Sequence, residues 1–151
     1  MGWSTRKIGK AEITFSVDEI VGKQRPRHSY ADGIQRTYTP RKTKQVEQMI
    51  AWLFASKYGG QWADFAGEVH INVTTWKALA KSNPKRLEGS ADLMKPDCDN
   101  ILKLVMDALE GVAYHDDKQV ALARVRKMPR LAHIKGNHIR IQLEFYKEKE
   151  D

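Results

Sequence analysis

The chain has 151 residues, of which 41% are hydrophobic and 30% charged, and this balance predicts a globular rather than a disordered protein. No apolar run is long enough to span a membrane, no secretory signal is present, and the single cysteine, Cys98, excludes an internal disulfide. We therefore predict a cytoplasmic protein with one domain over residues 1–151, whose ends fray at about residues 1–10 and 147–151.

The first half of the chain predicts a strand, a loop and a helix. Residues 12–18 alternate between polar and apolar side chains, which is typical of a half-buried strand. Residues 22–41 are polar and basic and predict a long loop with room for a small hairpin. A helix follows, capped by Thr39 or Thr43 and ended by Gly59. Its apolar positions recur with helical spacing at Val46, Met49, Ile50, Leu53 and Phe54.

The middle of the chain predicts a strand at residues 68–74, then a basic loop at residues 77–90 that includes a helical turn. The second helix is capped by Asp99 or Asn100 and stops at Gly111. Its apolar stripe consists of Ile101, Leu102, Val105, Met106 and Leu109.

Two further strands, at residues 119–126 and 138–145, are expected to pair as a hairpin with a long connection. The predicted order is therefore β-α-β-α-β-β. This order indicates one α+β domain, in which the helices pack on a mixed β-sheet.

Charge is distributed unevenly along the chain. The net charge of +7 and the pI near 9.5 favour a nucleic-acid partner. Within this basic chain, residues 92–117 hold seven acidic side chains. A module that only binds DNA gains nothing from clustered carboxylates, because they repel phosphate. A nuclease needs them to hold a metal ion, so the pattern indicates metal-dependent phosphodiester chemistry.

Asp97 and Asp99 follow Pro96 at the start of the second helix and can project to one side. The alternative role of an N-cap, worth about 1 kcal/mol, explains Asp99 and leaves Asp97 unexplained. Asp117 lies beyond Gly111, and we expect the chain to bring it back beside Asp97 and Asp99. Three carboxylates in one pocket need a divalent cation, and oxygen-only ligands select Mg²⁺ or Mn²⁺ over zinc.

Lys103 and Asp107 continue the helical face that begins at Asp99, at intervals of four residues. An exposed charge ladder explains this spacing without any catalytic role. In the nuclease interpretation, the Lys103 ammonium stabilises the charge that develops on the transferring phosphorus.

The acidic segment as a whole resembles a known family. The pattern Pro-Asp-x-Asp-Asn from Pro96, then Lys103, then Asp-Ala-Leu from Asp107, then Gly111 and Asp-Asp-x-Gln-Val from Asp116, is similar to that of the RusA family of Holliday junction resolvases of bacteria and their prophages. The resemblance extends over roughly residues 12–146. It implies a bacterial or phage-encoded homodimer that makes paired nicks in four-way DNA junctions with Mg²⁺, for which Mn²⁺ substitutes.

The resemblance also implies roles for individual residues. Asp97, Asp99 and Asp117 match the catalytic, metal-holding acids and Lys103 matches the catalytic lysine. Three further motif positions with supporting roles are Asn100, Asp107 and Asp116. A basic residue usually stands where this chain has Pro96, which follows Lys95.

Basic residues in the loops are expected to hold DNA phosphates. They are Lys23, Arg25, Arg27, Arg41, Lys81, Lys85, Arg86 and Lys95. Trp76 and Tyr114 either stack on bases at the junction or pack in the core. Two alternative functions are a dimer that binds branched DNA without cutting it and a Mg²⁺-dependent nuclease that acts on flaps or RNA.

Overall fold

The computed structural model describes residues 4–23, 27–31, 34–38, 41–132 and 134–149, and for residues 27–31 and 34–38 it describes the backbone. Its strands and helices are, in chain order, β1 (Thr5–Val17), β2 (Arg27–Ala31), β3 (Ile34–Tyr38), α1 (Arg41–Tyr58), β4 (Glu68–Trp76), α2 (Cys98–Leu109), β5 (Val120–Lys127) and β6 (Asn137–Glu148). Two short 3₁₀ turns cover Lys85–Leu87 and Asp117–Gln119.

A mixed four-stranded sheet in the order β1-β6-β4-β5 forms the centre of the fold, and β4 and β5 are its parallel pair. The predicted α+β class and the order of the main elements are confirmed. The hairpin β2–β3 lies within the predicted loop 22–41. Strand β1 pairs with β6 from Thr5 opposite Glu148 to Val17 opposite Asn137. Ordered pairing therefore extends further toward both ends than the sequence indicated.

The prediction that the last two strands form a hairpin is wrong. Strand β6 lies between β1 and β4, and β5 pairs with β4 on the edge of the sheet. Their side chains explain this placement. Ile139, Ile141, Leu143 and Phe145 of β6 are all buried, as a central strand requires. Most side chains of β5 are exposed, including Arg124 and Arg126, as an edge strand tolerates.

The apolar faces of both helices lie against one face of the sheet and close a single core cluster. Ile50 and Phe54 of α1 are fully buried, as are Val105 and Leu109 of α2. Gly59 and Gly111 have positive φ angles of 62° and 79°, which lets the chain turn away where each helix ends. None of the helices in the described part of the chain is both long and apolar enough to cross a membrane.

The start of α2 differs from prediction, and of the two residues proposed to cap α1, Thr39 lies outside the described residues. Thr43 lies inside α1, buried, and its hydroxyl donates a hydrogen bond to the Gly22 carbonyl at 3.4 Å. Helix α2 begins two or three residues earlier than expected, with Asp97 and neither Asp99 nor Asn100 at the N-cap. The Asp97 side chain makes no capping hydrogen bond, so its carboxylate is not used to hold the helix.

Gly22 fixes the chain against the first turn of α2. A Cβ atom at Gly22 would lie 2.8 Å from the Cβ atoms of both Pro96 and Asn100. We expect Gly22→Ala to lower the free energy of unfolding by about 1–3 kcal/mol, because these neighbours would have to move. Urea denaturation measures the change. Gly60→Ala, where a Cβ meets nothing within 4 Å, is the matched control and should leave stability nearly unchanged. Equal stability of both variants would contradict the packing described here.

Candidate active site

The solvent-facing side of α2 carries Asp99, Lys103 and Asp107 at successive helical turns. With a rise of 1.5 Å per residue, Asp99 and Asp107 are about 12 Å apart along the helix axis. Lys103 therefore lies between an acidic residue near the start of α2 and a second acidic residue in its other half.

Lys103 joins α2 to the turn before β5. Its ammonium nitrogen lies 3.1 Å from the Asp107 carboxylate and 3.9 Å from that of Asp117. These two acids raise the pKa of Lys103 above its ordinary value; the hydrogen bond to Asp107 is the largest influence. Lys103 is consequently a permanent cation at neutral pH, in the centre of the acidic segment.

Hydrogen bonds from two other residues of the motif, Asp116 and Gln119, hold the turn that contains Asp117. The Asp116 carboxylate accepts the Lys118 amide at 2.9 Å, which lowers the pKa of Asp116. The Gln119 side-chain oxygen Oε1 accepts the Asp116 backbone amide at 2.7 Å, and the Gln119 side-chain nitrogen Nε2 donates to the backbone carbonyls of Phe65 and Gly67. This places Asp116 and Gln119 as groups that position Asp117.

Lys23 links the segment after β1 to both helices. Its amide donates to the Asn100 carbonyl at 2.8 Å, while its ammonium lies 2.7 Å from Glu47 of α1 and 3.3 Å from Asp107 of α2. Asp107 thus has two lysines as partners, Lys23 and Lys103. Glu47 carried no sequence signal because it comes from a different helix, and Asn100 contributes through its backbone.

One compact group of acids occurs among the described residues. Carboxylate oxygens of Asp107, Glu110 and Asp117 lie within 4.8 Å of one another. An all-oxygen donor set of this kind suits Mg²⁺ or Mn²⁺. Glu110, the C-cap residue of α2, was not predicted, although its spacing of three residues from Asp107 was a signal that could have identified it.

Asp97 and Asp99 stand apart from this group. Both are exposed at the start of α2, and neither forms an ion pair with any residue that the structure describes. The expected return of Asp117 to the start of α2 is not observed within the chain. Cys98, at the helix start, donates to the Val125 carbonyl near the end of β5 at 3.9 Å, so β5 and α2 run in opposite directions. Asp117, which precedes β5, consequently lies beside the second half of α2.

Tyr114 packs in the core rather than facing DNA. Its side chain is fully buried and its hydroxyl donates to the Met106 carbonyl at 2.7 Å. Burial raises the pKa of Tyr114, and the negative charges of Asp117, Glu110 and Asp107 add to this effect. Trp76 is half-buried, and the Arg140 guanidinium lies 5.2 Å from the centre of its ring.

The predicted DNA-binding residues are spread over several segments. Arg25 lies outside the described residues, and Arg27 begins strand β2. Lys23 is half-buried in the ion pairs given above. The remaining predicted cations are exposed and accessible to phosphate: Arg41, Lys81, Lys85, Arg86 and Lys95.

Known proteins match this chain over most of its length. The profile of the family described as endodeoxyribonuclease RusA matches residues 19–144, which include α1, β4, the acidic segment and β5. A protein of Bacillus subtilis (strain 168), named uncharacterized protein YqaN, is 35% identical over 124 residues, which cover 76% of this chain and 86% of the relative. The chain belongs to the RusA family of endodeoxyribonucleases.

Proposed function

We propose that this protein is a Mg²⁺-dependent endonuclease that resolves four-way DNA junctions by paired nicks as a cytoplasmic homodimer. The observation that carries the proposal is the acid-and-lysine motif along α2, which belongs to a chain with an excess of positive charge and to a nuclease family. The homodimer follows from the expected products, since two symmetric nicks need two sites related by a twofold axis.

The proposed metal-holding acids are Asp97, Asp99 and Asp117. Asp97 and Asp99 are exposed and have no cationic partner among the described residues, so their negative charge remains available to a metal ion. The Asp107 carboxylate is already compensated by Lys23 and Lys103, which favours a supporting role. When bound, the ion polarises a phosphoryl oxygen and lowers the pKa of a water molecule.

The distance between the start of α2, where Asp97 and Asp99 lie, and Asp117 limits how a single metal ion can be bound. Mg²⁺ holds its ligands at about 2.1 Å, so two ligand atoms on one ion lie at most about 4.2 Å apart. Among the described residues, Asp97, Asp99 and Asp117 do not form a group whose carboxylate oxygens all lie within 4.8 Å of one another. We infer that one ion shared by all three acids requires the second copy in the homodimer.

A labelled four-way junction, incubated with purified protein and Mg²⁺ and with an EDTA control, tests the function. Metal-dependent symmetric nicking is the expected result. A stable complex with no product would instead favour the dimer that binds without cutting. Flap and RNA substrates on the same gel would identify a nuclease of different specificity.

Lys103 is proposed to stabilise charge at the transferring phosphorus. We expect Lys103→Gln to lower kcat about a hundredfold, since one electrostatic contact to the transition state is lost. Lys103→Arg, which keeps the positive charge, should recover part of the rate. Because the pKa of Lys103 is raised, its charged form persists throughout the range of about pH 6 to 9, and the wild-type rate should show no loss attributable to Lys103 there. Wild-type rates in the Gln variant would contradict this role.

A further inference from the structure

The loop before α2 ends in an apolar tip, formed by Leu93 and Met94. Leu93 is 90% exposed, more than any other large hydrophobic side chain in the described part of the chain, and Met94 is 54% exposed. These two adjacent exposed side chains form a small apolar patch three residues before Asp97, the first acid of the motif. The tip contributes nothing to the core described above.

Hydrogen bonds from buried and half-buried side chains hold the backbone of the apolar tip. The Asp92 side chain is buried, accepts the Met94 amide at 3.1 Å, and lies 3.7 Å from Lys77 and 3.9 Å from Lys127. Lys77 also donates to the Lys95 carbonyl at 2.9 Å, and Lys127 donates to the Met94 carbonyl. Two lysines and one buried carboxylate therefore fix the backbone on both sides of the tip.

A second set of contacts ties the same loop to the segment after β5. The Arg130 amide donates to the Ser90 carbonyl at 2.9 Å, and its guanidinium donates to the Ser90 hydroxyl at 2.8 Å and approaches the Met94 sulfur at 3.7 Å. The surroundings of the tip are thus basic, with the exposed Lys95 as a further cation. Such surroundings attract DNA phosphates.

We propose that Leu93 and Met94 form a wedge that inserts between unstacked bases of branched DNA and thereby places the branch beside Asp97. This inference rests on the proposed function. Met94 is three residues from Asp97, a reach of at most about 11 Å, or about three base-pair steps. Leu and Met are among the side chains that proteins insert between base steps, and a wedge must be rigid to hold the bases apart.

A second copy of the chain is the other occupant to consider. Stable protein interfaces bury about 1,000 Å² or more, which two side chains cannot supply. The cations beside the tip, of which Lys95 is exposed, are also unfavourable between two identical surfaces, whereas they complement a phosphate backbone. The surface therefore fits DNA better than a second copy.

The test combines Leu93→Ala with Met94→Ala in the full chain. A four-way junction with 2-aminopurine at the branch is mixed with protein in EDTA, and the rise in fluorescence reports base unstacking. We expect wild type to give the rise and the double variant to lose most of it, while the affinity for unbranched duplex stays the same. In Mg²⁺, junction cleavage by the double variant should fall about tenfold.

Leu122→Ala is the matched control, because Leu122 is an exposed leucine on the edge strand β5. It should behave as wild type, and thermal melting verifies that each variant is folded. Wild-type unstacking and cleavage by the double variant would overturn the wedge and leave the proposed function intact. A changed oligomeric state in gel filtration would overturn it in favour of a contact between copies. If wild type cleaves no junction, the proposed function fails, whatever the double variant does.

Discussion

Asp97→Asn is expected to abolish junction cleavage while binding of the junction survives or becomes tighter. Asp97 is the N-cap residue of α2, but its exposed carboxylate makes no capping hydrogen bond, so removing its charge should not unfold the helix. The substitution removes one ligand of the proposed metal ion and one negative charge that repels phosphate. We expect kcat to fall by about a thousandfold or more. Cleavage of a labelled junction in Mg²⁺ and a gel-shift titration in EDTA measure the two effects separately.

Asp18→Asn is the matched control for this experiment. Asp18 is an exposed aspartate just after β1, outside the motif. The Asp18→Asn substitution removes one negative charge from an exposed position, as Asp97→Asn does, and should retain wild-type cleavage. Loss of binding together with cleavage in Asp97→Asn, accompanied by a lower melting temperature, would identify Asp97 as a structural residue instead.

Asp117→Asn is expected to reduce kcat as strongly as Asp97→Asn. Asp117 belongs both to the proposed metal-holding set with Asp97 and Asp99 and to the compact group with Asp107 and Glu110. Glu110→Gln separates these arrangements. If Asp97, Asp99 and Asp117 hold the ion, Glu110→Gln should keep kcat and Mn²⁺ affinity within about tenfold of wild type. If Asp107, Glu110 and Asp117 hold it, Glu110→Gln and Asp117→Asn should lose Mn²⁺ affinity alike in calorimetric titrations.

Mixing two inactive variants tests whether the site spans two copies. A heterodimer of Asp97→Asn with Asp117→Asn contains one intact site if each site takes Asp97 from one copy and Asp117 from the other. Nicking activity should then return in the mixture, on one strand of the junction. If every site lies within one copy, both sites of the heterodimer are damaged and the mixture stays inactive.

Local patterns in the sequence were sufficient to predict the main strands and helices, but they did not predict which strands pair in the sheet. The alternation at Ile139, Ile141, Leu143 and Phe145 identified β6, because burial of one strand face is a local property. Pairing depends on distant parts of the chain. The exposed arginines of β5 suit the edge position that the structure shows, yet nothing nearby in the sequence specified that its partner is β4 rather than β6.

In the candidate site too, the sequence predicted the relations within one helix but not the contacts between distant segments. The spacing of Asp99, Lys103 and Asp107 placed these residues correctly on one face of α2, because helical periodicity alone fixes that relation. The position of Asp117 depends on the direction of β5 relative to α2, which the sequence does not encode locally. The Lys23 ion pairs with Glu47 and Asp107 join three distant segments and left no motif in the sequence.

The lone cysteine gives the protein a built-in attachment point for a spectroscopic label. Cys98 is exposed and lies between Asp97 and Asp99 at the start of α2. A maleimide fluorophore or nitroxide would react at this one thiol without any engineered substitution. Its emission or its paramagnetic line shape would then report ion and DNA arrival in real time. Slower alkylation of the thiol in the presence of junction DNA would map the bound surface independently of catalysis.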